Sequence, residues 1–181
     1  TDTFSVERLN KEFFKGYKEQ YAKFLKLLED KKQHRDYVKK MLGRLVFLQF
    51  LQKKGWMGVP ASNENWEGGD KNYLVNLIER YKGNDRILSD VLEPLFFDTL
   101  NKERVGDIAD SRLGNNIKIP YLNGGLFDKD KIDALDIDFP YSYFEDLMKF
   151  FNEYNFTIDE NDPDDAEVGV DPEMLGHIFE N

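Results

Sequence analysis

Apolar residues in the first third of the chain recur at helical spacing. Val6, Leu9, Phe13, Tyr17, Tyr21, Phe24 and Leu28 stand three or four apart, which places one apolar stripe along a helix over residues 6–28. Ser5 stands where an N-cap is needed, and Glu7 puts negative charge in the first turn. The opposite face gathers Lys11, Lys15, Lys18 and Lys26, the pattern of a solvated face and less often of a phosphate-binding one. Beyond a polar connector, Lys31-Lys32-Gln33, a second helix is predicted over residues 36–54. Its Leu45-Val46-Phe47-Leu48-Gln49-Phe50-Leu51 run is apolar nearly all round, so this is the most buried helix. Gly43 within it points to close helix packing, since glycine there otherwise only weakens the helix. Arg44 beside that run needs a carboxylate or carbonyl partner, because burying an unpaired charge is costly. Gly55 ends the helix, and Trp56 is predicted to fold back on it.

The pattern then becomes less regular. Residues 57–70 read as an exposed loop, after which Asp70 caps a short helix carrying Tyr73, Leu74, Leu77, Ile78 and Tyr81 that stops at Gly83. Residues 85–101 carry a further apolar stripe interrupted by Pro94, which either kinks one helix or opens a second. The Gly, Asn and Asp content of residues 105–118 predicts irregular chain. It leads into Ile119-Pro120-Tyr121-Leu122-Asn123-Gly124-Gly125-Leu126-Phe127, nine positions without a charge in a chain that is 33% charged. The expectation is a structural loop docked on the core: Pro120 fixes φ, Asn123, Gly124 and Gly125 tolerate φ > 0, and Tyr121, Leu122, Leu126 and Phe127 point inward. A packing plug is favoured over a direct ligand site. Asp136–Pro140 reads as extended, with a short edge strand as an option. Ser142-Tyr143-Phe144-Glu145 then offers a capping box for a helix bearing Phe144, Leu147, Met148, Phe151 and Tyr154. Residues 155–158 are extended and 159–167 acidic, and Asp171-Pro172-Glu173 opens a last helix with Met174, Leu175, Ile178 and Phe179. The fold class that follows is mainly α: an irregular helical bundle with long ordered loops and at most a minor short β element.

Composition narrows the function classes. Hydrophobic content of 40% and a mean hydropathy of −0.64, with 15 Phe and 9 Tyr to fill a core, exclude both a membrane-spanning and a disordered chain. There is no Cys, hence no disulfide, thiolate metal site or thiol nucleophile, and no secretory signal is visible. A cytoplasmic protein is expected. The missing initiator Met, and a last helix still running at Asn181, predict a piece of a longer polypeptide. The net charge of −10 hides an asymmetry: residues 1–60 hold 14 Lys and Arg against 7 Asp and Glu, whereas residues 128–181 hold 17 acids against Lys129, Lys131 and Lys149. Such polarity suits a part of a larger assembly with one end facing an anion.

No catalytic set emerges. His34 and His177 have no ligand-like spacing, and the acids Asp159, Glu160, Asp162, Asp164 and Asp165 lack the periodicity and glycine of a calcium loop. Glu29-Asp30-Lys31 has the Glu-x-Lys spacing of metal-dependent nucleases but closes a helix without a strand-borne partner Asp. Asp138-Phe139-Pro140-Tyr141 comes near the Asp-Pro-Pro-Tyr box of amino-methyltransferases, but Phe139 breaks it and no Gly-rich cofactor loop precedes it.

Three segments in order carry a resemblance: Arg44-Leu45-Val46-Phe47-Leu48-Gln49-Phe50-Leu51-Gln52-Lys53-Lys54-Gly55-Trp56; Ile119–Phe127 with the later Tyr154-Asn155-Phe156-Thr157-Ile158-Asp159-Glu160; and Val170-Asp171-Pro172-Glu173-Met174-Leu175-Gly176-His177-Ile178-Phe179-Glu180-Asn181. Together they resemble the helical region preceding the methyltransferase domain of type IIG-like restriction-modification proteins and their phage-defence relatives. There one polypeptide carries a nuclease, a helical connector and an N6-adenine DNA methyltransferase. The resemblance implies a connector domain over residues 1–170 and, over 171–181, the first turns of a helix leading into the methyltransferase domain. It implies no cofactor within these residues, with S-adenosylmethionine and Mg²⁺ belonging to the parent chain. Implied partners are double-stranded DNA and the adjacent methyltransferase and nuclease domains. The family's catalytic boxes fall outside these residues, so no catalytic residue carries over. Lys39, Lys40, Arg44, Lys53 and Lys54 are candidates for DNA-backbone contacts that position without reading bases; a core ion-pair partner is an equal reading of Arg44, and solubilising lysines the other reading of the rest. A free-standing helical interaction module with an acidic partner-binding face is the alternative.

Overall fold

The N-terminal aromatic stripe does form a helix. In a computed structural model, which describes residues 3–156 and 169–170, with side chains from residue 7 to 156, α1 spans Thr3–Leu25. It begins ahead of Ser5, so that residue lies inside the helix rather than at its cap. α2 spans Lys32–Lys53. It starts four residues earlier than the apolar pattern indicates, and in that added turn Lys32 pairs with Asp36 at 2.6 Å. The predicted helix from Asp171, His177 and the acidic run from Asp159 lie outside the described residues. These divide into two compact units, one comprising residues up to Phe50 and from Asp146 onward, the other Leu51–Glu145.

Aromatic packing organises the first unit. Phe13 is fully buried, stacked on Phe150 at 5.3 Å and met edge-on by Tyr154 at 5.1 Å and Phe156 at 5.5 Å. Phe50 and Phe151 also meet the Phe156 ring edge-on, the geometry that the ring quadrupole favours. Gly16 permits this approach: a Cβ there would stand 2.3 Å from Phe150 Cε1. The α2 run is buried as its composition demands, with Leu42, Leu45, Val46 and Leu48 at 0% exposure. Strand β3, Asn155–Phe156, pairs in parallel with β4, Gly169–Val170.

Irregular chain dominates the second unit. Gly55 ends α2 in the left-handed region (φ 78°), but Trp56 turns outward, 38% exposed, and Met57 takes the buried place expected of it. The 57–70 segment is only partly an exposed loop. Met57 and Val59 are buried, and β1, Val59–Pro60, pairs antiparallel with β2, Ile117–Lys118. Helix α3 spans Tyr73–Arg80, just after Asp70, whose carboxylate accepts from the Asn72 amide and Asn76 Nδ2. The following stretch forms two helical segments with widened turns, Leu88–Leu92 and Pro94–Leu100, joined without a break through Glu93, which keeps helical backbone angles. The Asn101 amide reaches back five residues to the Phe96 carbonyl. Asp136–Pro140 is extended but pairs with no strand; instead Asp138 accepts from the Ser89 amide and hydroxyl. Helix α4, Tyr141–Asn152, begins at Tyr141, whose amide is received by Asp85 at 2.9 Å, and Ser142 is not its cap. A capping box occurs earlier, between Asp130 and Asp133, over the short 3₁₀ turn Lys131–Ala134. The chain is mainly α with minor two-residue strands, and among the described residues no helix is long and apolar enough to cross a membrane.

Candidate nucleic-acid interface

The five cations singled out on and just after α2 occupy unlike environments. Arg44 is 2% exposed and engaged by neighbours within the protein, which makes it a core residue; a guanidinium so enclosed does not reach a phosphate. Lys39 and Lys40 are half-buried, and Lys40 is also engaged. These three lie in the first unit. In the second, Lys53 is half-buried, whereas Lys54 is exposed with its ammonium 5.2 Å from the centre of the Trp56 ring. On α1 and its final turn, Lys11, Lys15, Lys18 and Lys26 are all exposed, while Phe13, Tyr17 and Phe24 of the same helix are buried.

The Pro120–Gly125 loop departs from expectation. Its ends are anchored, Ile119 and Phe127 being 0% and 1% exposed with Phe127 against the Phe96 ring at 5.7 Å. Pro120, Tyr121, Leu122 and Leu126 are half-buried, however, and Asn123, Gly124 and Gly125 are exposed. Of the three turn residues, Gly125 alone is left-handed (φ 83°), and a Cβ on Gly124 would meet nothing within 4 Å. The reason lies in how the arms are fastened. Leu122 donates its amide to the Leu100 carbonyl at 2.8 Å and Ile119 donates to Asp107 at 3.1 Å. The arms are thereby held at the core and the reversal projects beyond it.

Two further cations of the second unit are committed inward. Arg104 donates to five carbonyls: Nε to Thr99 and Lys102, one terminal nitrogen to Asp107 and Ile108, the other to Ile119 at 2.5 Å. Burial pushes its guanidinium below the ordinary arginine range, partly opposed by Asp107. Lys118, 7% exposed, donates to the Asn63 and Asn65 carbonyls and lies 4.7 Å from the centre of the Trp66 ring. Both stitch loops together, and sequence reasoning misses both. The Ile-Lys-Ile alternation around Lys118 is a strand signal that neighbouring Gly and Asn residues mask. Among the described residues no three His, Asp or Glu side chains stand together as metal ligands.

In comparisons with known proteins, no family model and no solved structure matches the sequence. A protein of Methanocaldococcus jannaschii named "Putative type II restriction enzyme and methyltransferase" is 29% identical over 145 residues. That similarity supports a relationship to restriction-modification proteins. The aligned part is 77% of this chain but 11% of the relative, so the chain spans about a ninth of the length of the protein it matches.

Proposed function

We propose that this chain is a non-catalytic helical connector of a type IIG-like restriction-modification enzyme, positioning an N6-adenine DNA methyltransferase and an endonuclease on one duplex. The observation that carries the reading is the similarity to a named restriction enzyme and methyltransferase along 77% of this chain and 11% of that relative. A segment that is a small share of a two-activity polypeptide is suited to joining and spacing. The three motif segments, in the order typical of the region before the methyltransferase, support the same reading. Lys39, Lys40, Lys53 and Lys54 are proposed as DNA-backbone contacts, and Arg44 as a core residue. S-adenosylmethionine and Mg²⁺ belong to the parent chain's catalytic domains in this proposal. The test is to incubate the purified chain with duplex DNA, S-adenosylmethionine and Mg²⁺. Neither methyl incorporation nor cleavage is expected, and either activity would overturn the proposal.

A further inference from the structure

Cations of the first unit include two contrasting sets. Lys23, Lys31, Lys32 and Arg35 each meet a carboxylate, on Asp146, Glu29, Asp36 and Asp30, at 2.9, 2.5, 2.6 and 2.6 Å. Arg8, Lys11, Lys15, Lys18 and Lys26 meet none among the described residues, and all five are exposed. With 3.6 residues per turn they share an arc of about 80° on α1 and its final turn, with Ala22 filling the interval before Lys26. That arc lies opposite the buried Phe13, Tyr17 and Phe24. Arg8 and Lys11, Lys11 and Lys15, and Lys15 and Lys18 are like-charge pairs at the i,i+3 and i,i+4 spacings that destabilise a helix.

The acids of α1 flank this stripe, Glu7 one turn ahead of Lys11, Glu12 one turn from both Arg8 and Lys15, and Glu19 one turn beyond Lys15, but among the described residues none closes an ion pair with its cations. The chain has 35 acids to 25 bases, and Lys23, Lys31, Lys32 and Arg35 have found carboxylates among them. Among the described residues the cations of the stripe have no carboxylate partner, the Lys18 ammonium instead lying 4.5 Å from the centre of the Phe14 ring, and a row of like charges is relieved by an external polyanion. From Arg8 to Lys26 the row runs about 27 Å, the length of roughly eight base pairs.

We infer that the α1 stripe, rather than Lys39, Lys40, Lys53 and Lys54, is the principal surface by which this chain lies along the phosphate backbone of duplex DNA. This rests on the connector reading only for the choice of duplex DNA as the polyanion. The contact positions without reading sequence.

The test compares the chain with two quadruple variants, K11Q/K15Q/K18Q/K26Q on α1 and its final turn and K39Q/K40Q/K53Q/K54Q on α2 and the residue after it. Glutamine keeps the helix propensity of lysine, and circular dichroism checks that each variant folds. Anisotropy of a labelled duplex of about 20 base pairs, more than twice the length of the stripe, is followed against salt. The α1 variant is expected to lessen the log-log salt slope by about 3 to 4, at roughly 0.9 for each phosphate no longer neutralised. The α2 variant is expected to change it less. An unchanged slope in the α1 variant would overturn the inference, and so would no duplex binding by the unaltered chain, or binding of an acidic protein in preference to the duplex. None of these outcomes touches the connector reading, which is tested by turnover in the isolated chain.

Discussion

The two units of this chain hold themselves together by different means. In the first, ring packing dominates: Phe13, Phe50, Phe150, Phe151, Tyr154 and Phe156 meet face or edge within about 6 Å. In the second, polar side chains collect backbone groups from distant irregular segments. Gln52 receives the Leu74 amide, Asp85 the Tyr141 amide and Asp138 the Ser89 amide, Tyr73 donates to Leu113, and Arg104 binds five carbonyls. Regular helices satisfy their own backbone, so their stability rests on the faces they bury. Irregular chain cannot do this, and buried carbonyls and amides there need donors and acceptors brought from elsewhere.

If that contrast is right, substitutions should act on the two units by different mechanisms. The largest effect is expected from Phe13→Ala, which empties the centre of the ring cluster and should cost about 3–5 kcal/mol in denaturant unfolding. In the second unit the corresponding change is Arg104→Met, which keeps the stem and removes the fork. Charge-assisted hydrogen bonds of this kind are worth about 1.5–3 kcal/mol, and faster hydrogen exchange is expected at the Ile119 and Leu122 amides, with those of α1 unaffected.

Gly16→Ala sharpens the contrast because two effects oppose one another. Alanine gains about 1 kcal/mol of helix propensity over glycine, but its Cβ would fall 2.3 Å from Phe150. Overpacking a filled site costs about 1–3 kcal/mol, so net destabilisation is expected, and a raised melting temperature would refute the ring-packing account. The smallest effect concerns Asp146, which accepts from Lys23 and Gln20 of α1. Hydrogen bonds from Lys23, then from Gln20, hold its carboxyl below the ordinary value of 3.8. A lowered folded-state value means that its stabilisation is complete above that ordinary value and is lost as pH falls through the depressed one. The side chain is 49% exposed, so the contribution is under about 1 kcal/mol, and Asp146→Asn is expected to flatten the stability profile only below that point.

The same contrast explains what the sequence makes legible. The stripes of α1, α2 and α4 follow from apolar spacing, because a helix buries one face at a fixed period. The bonds of the second unit have no period: Asp85 and Tyr141 are 56 positions apart, and Lys118 is 55 from Asn63. That is why Ser142 reads as a cap when a distant Asp85 supplies the acceptor. The charge-free loop misleads for a related reason. Lack of charge indicates burial, whereas Ile119, Phe127 and two main-chain hydrogen bonds anchor its arms and leave the Asn123–Gly125 tip outside. Of the candidate interface, the lysines are visible in the sequence, but their exposure is not. Arg44 sits at 2% exposure, while the α1 row faces solvent.

The connector account is tested most directly in the parent polypeptide, by exchanging this segment for a flexible Gly/Ser linker of equal length and mapping where DNA is cut relative to the methylated site. A folded spacer fixes that distance, whereas a flexible chain samples a broad range of end-to-end lengths. The expected result is a single cleavage distance for the native segment and scattered or abolished cleavage for the linker, with methyl transfer retained. An unchanged, sharp cleavage distance with the linker in place would contradict the account.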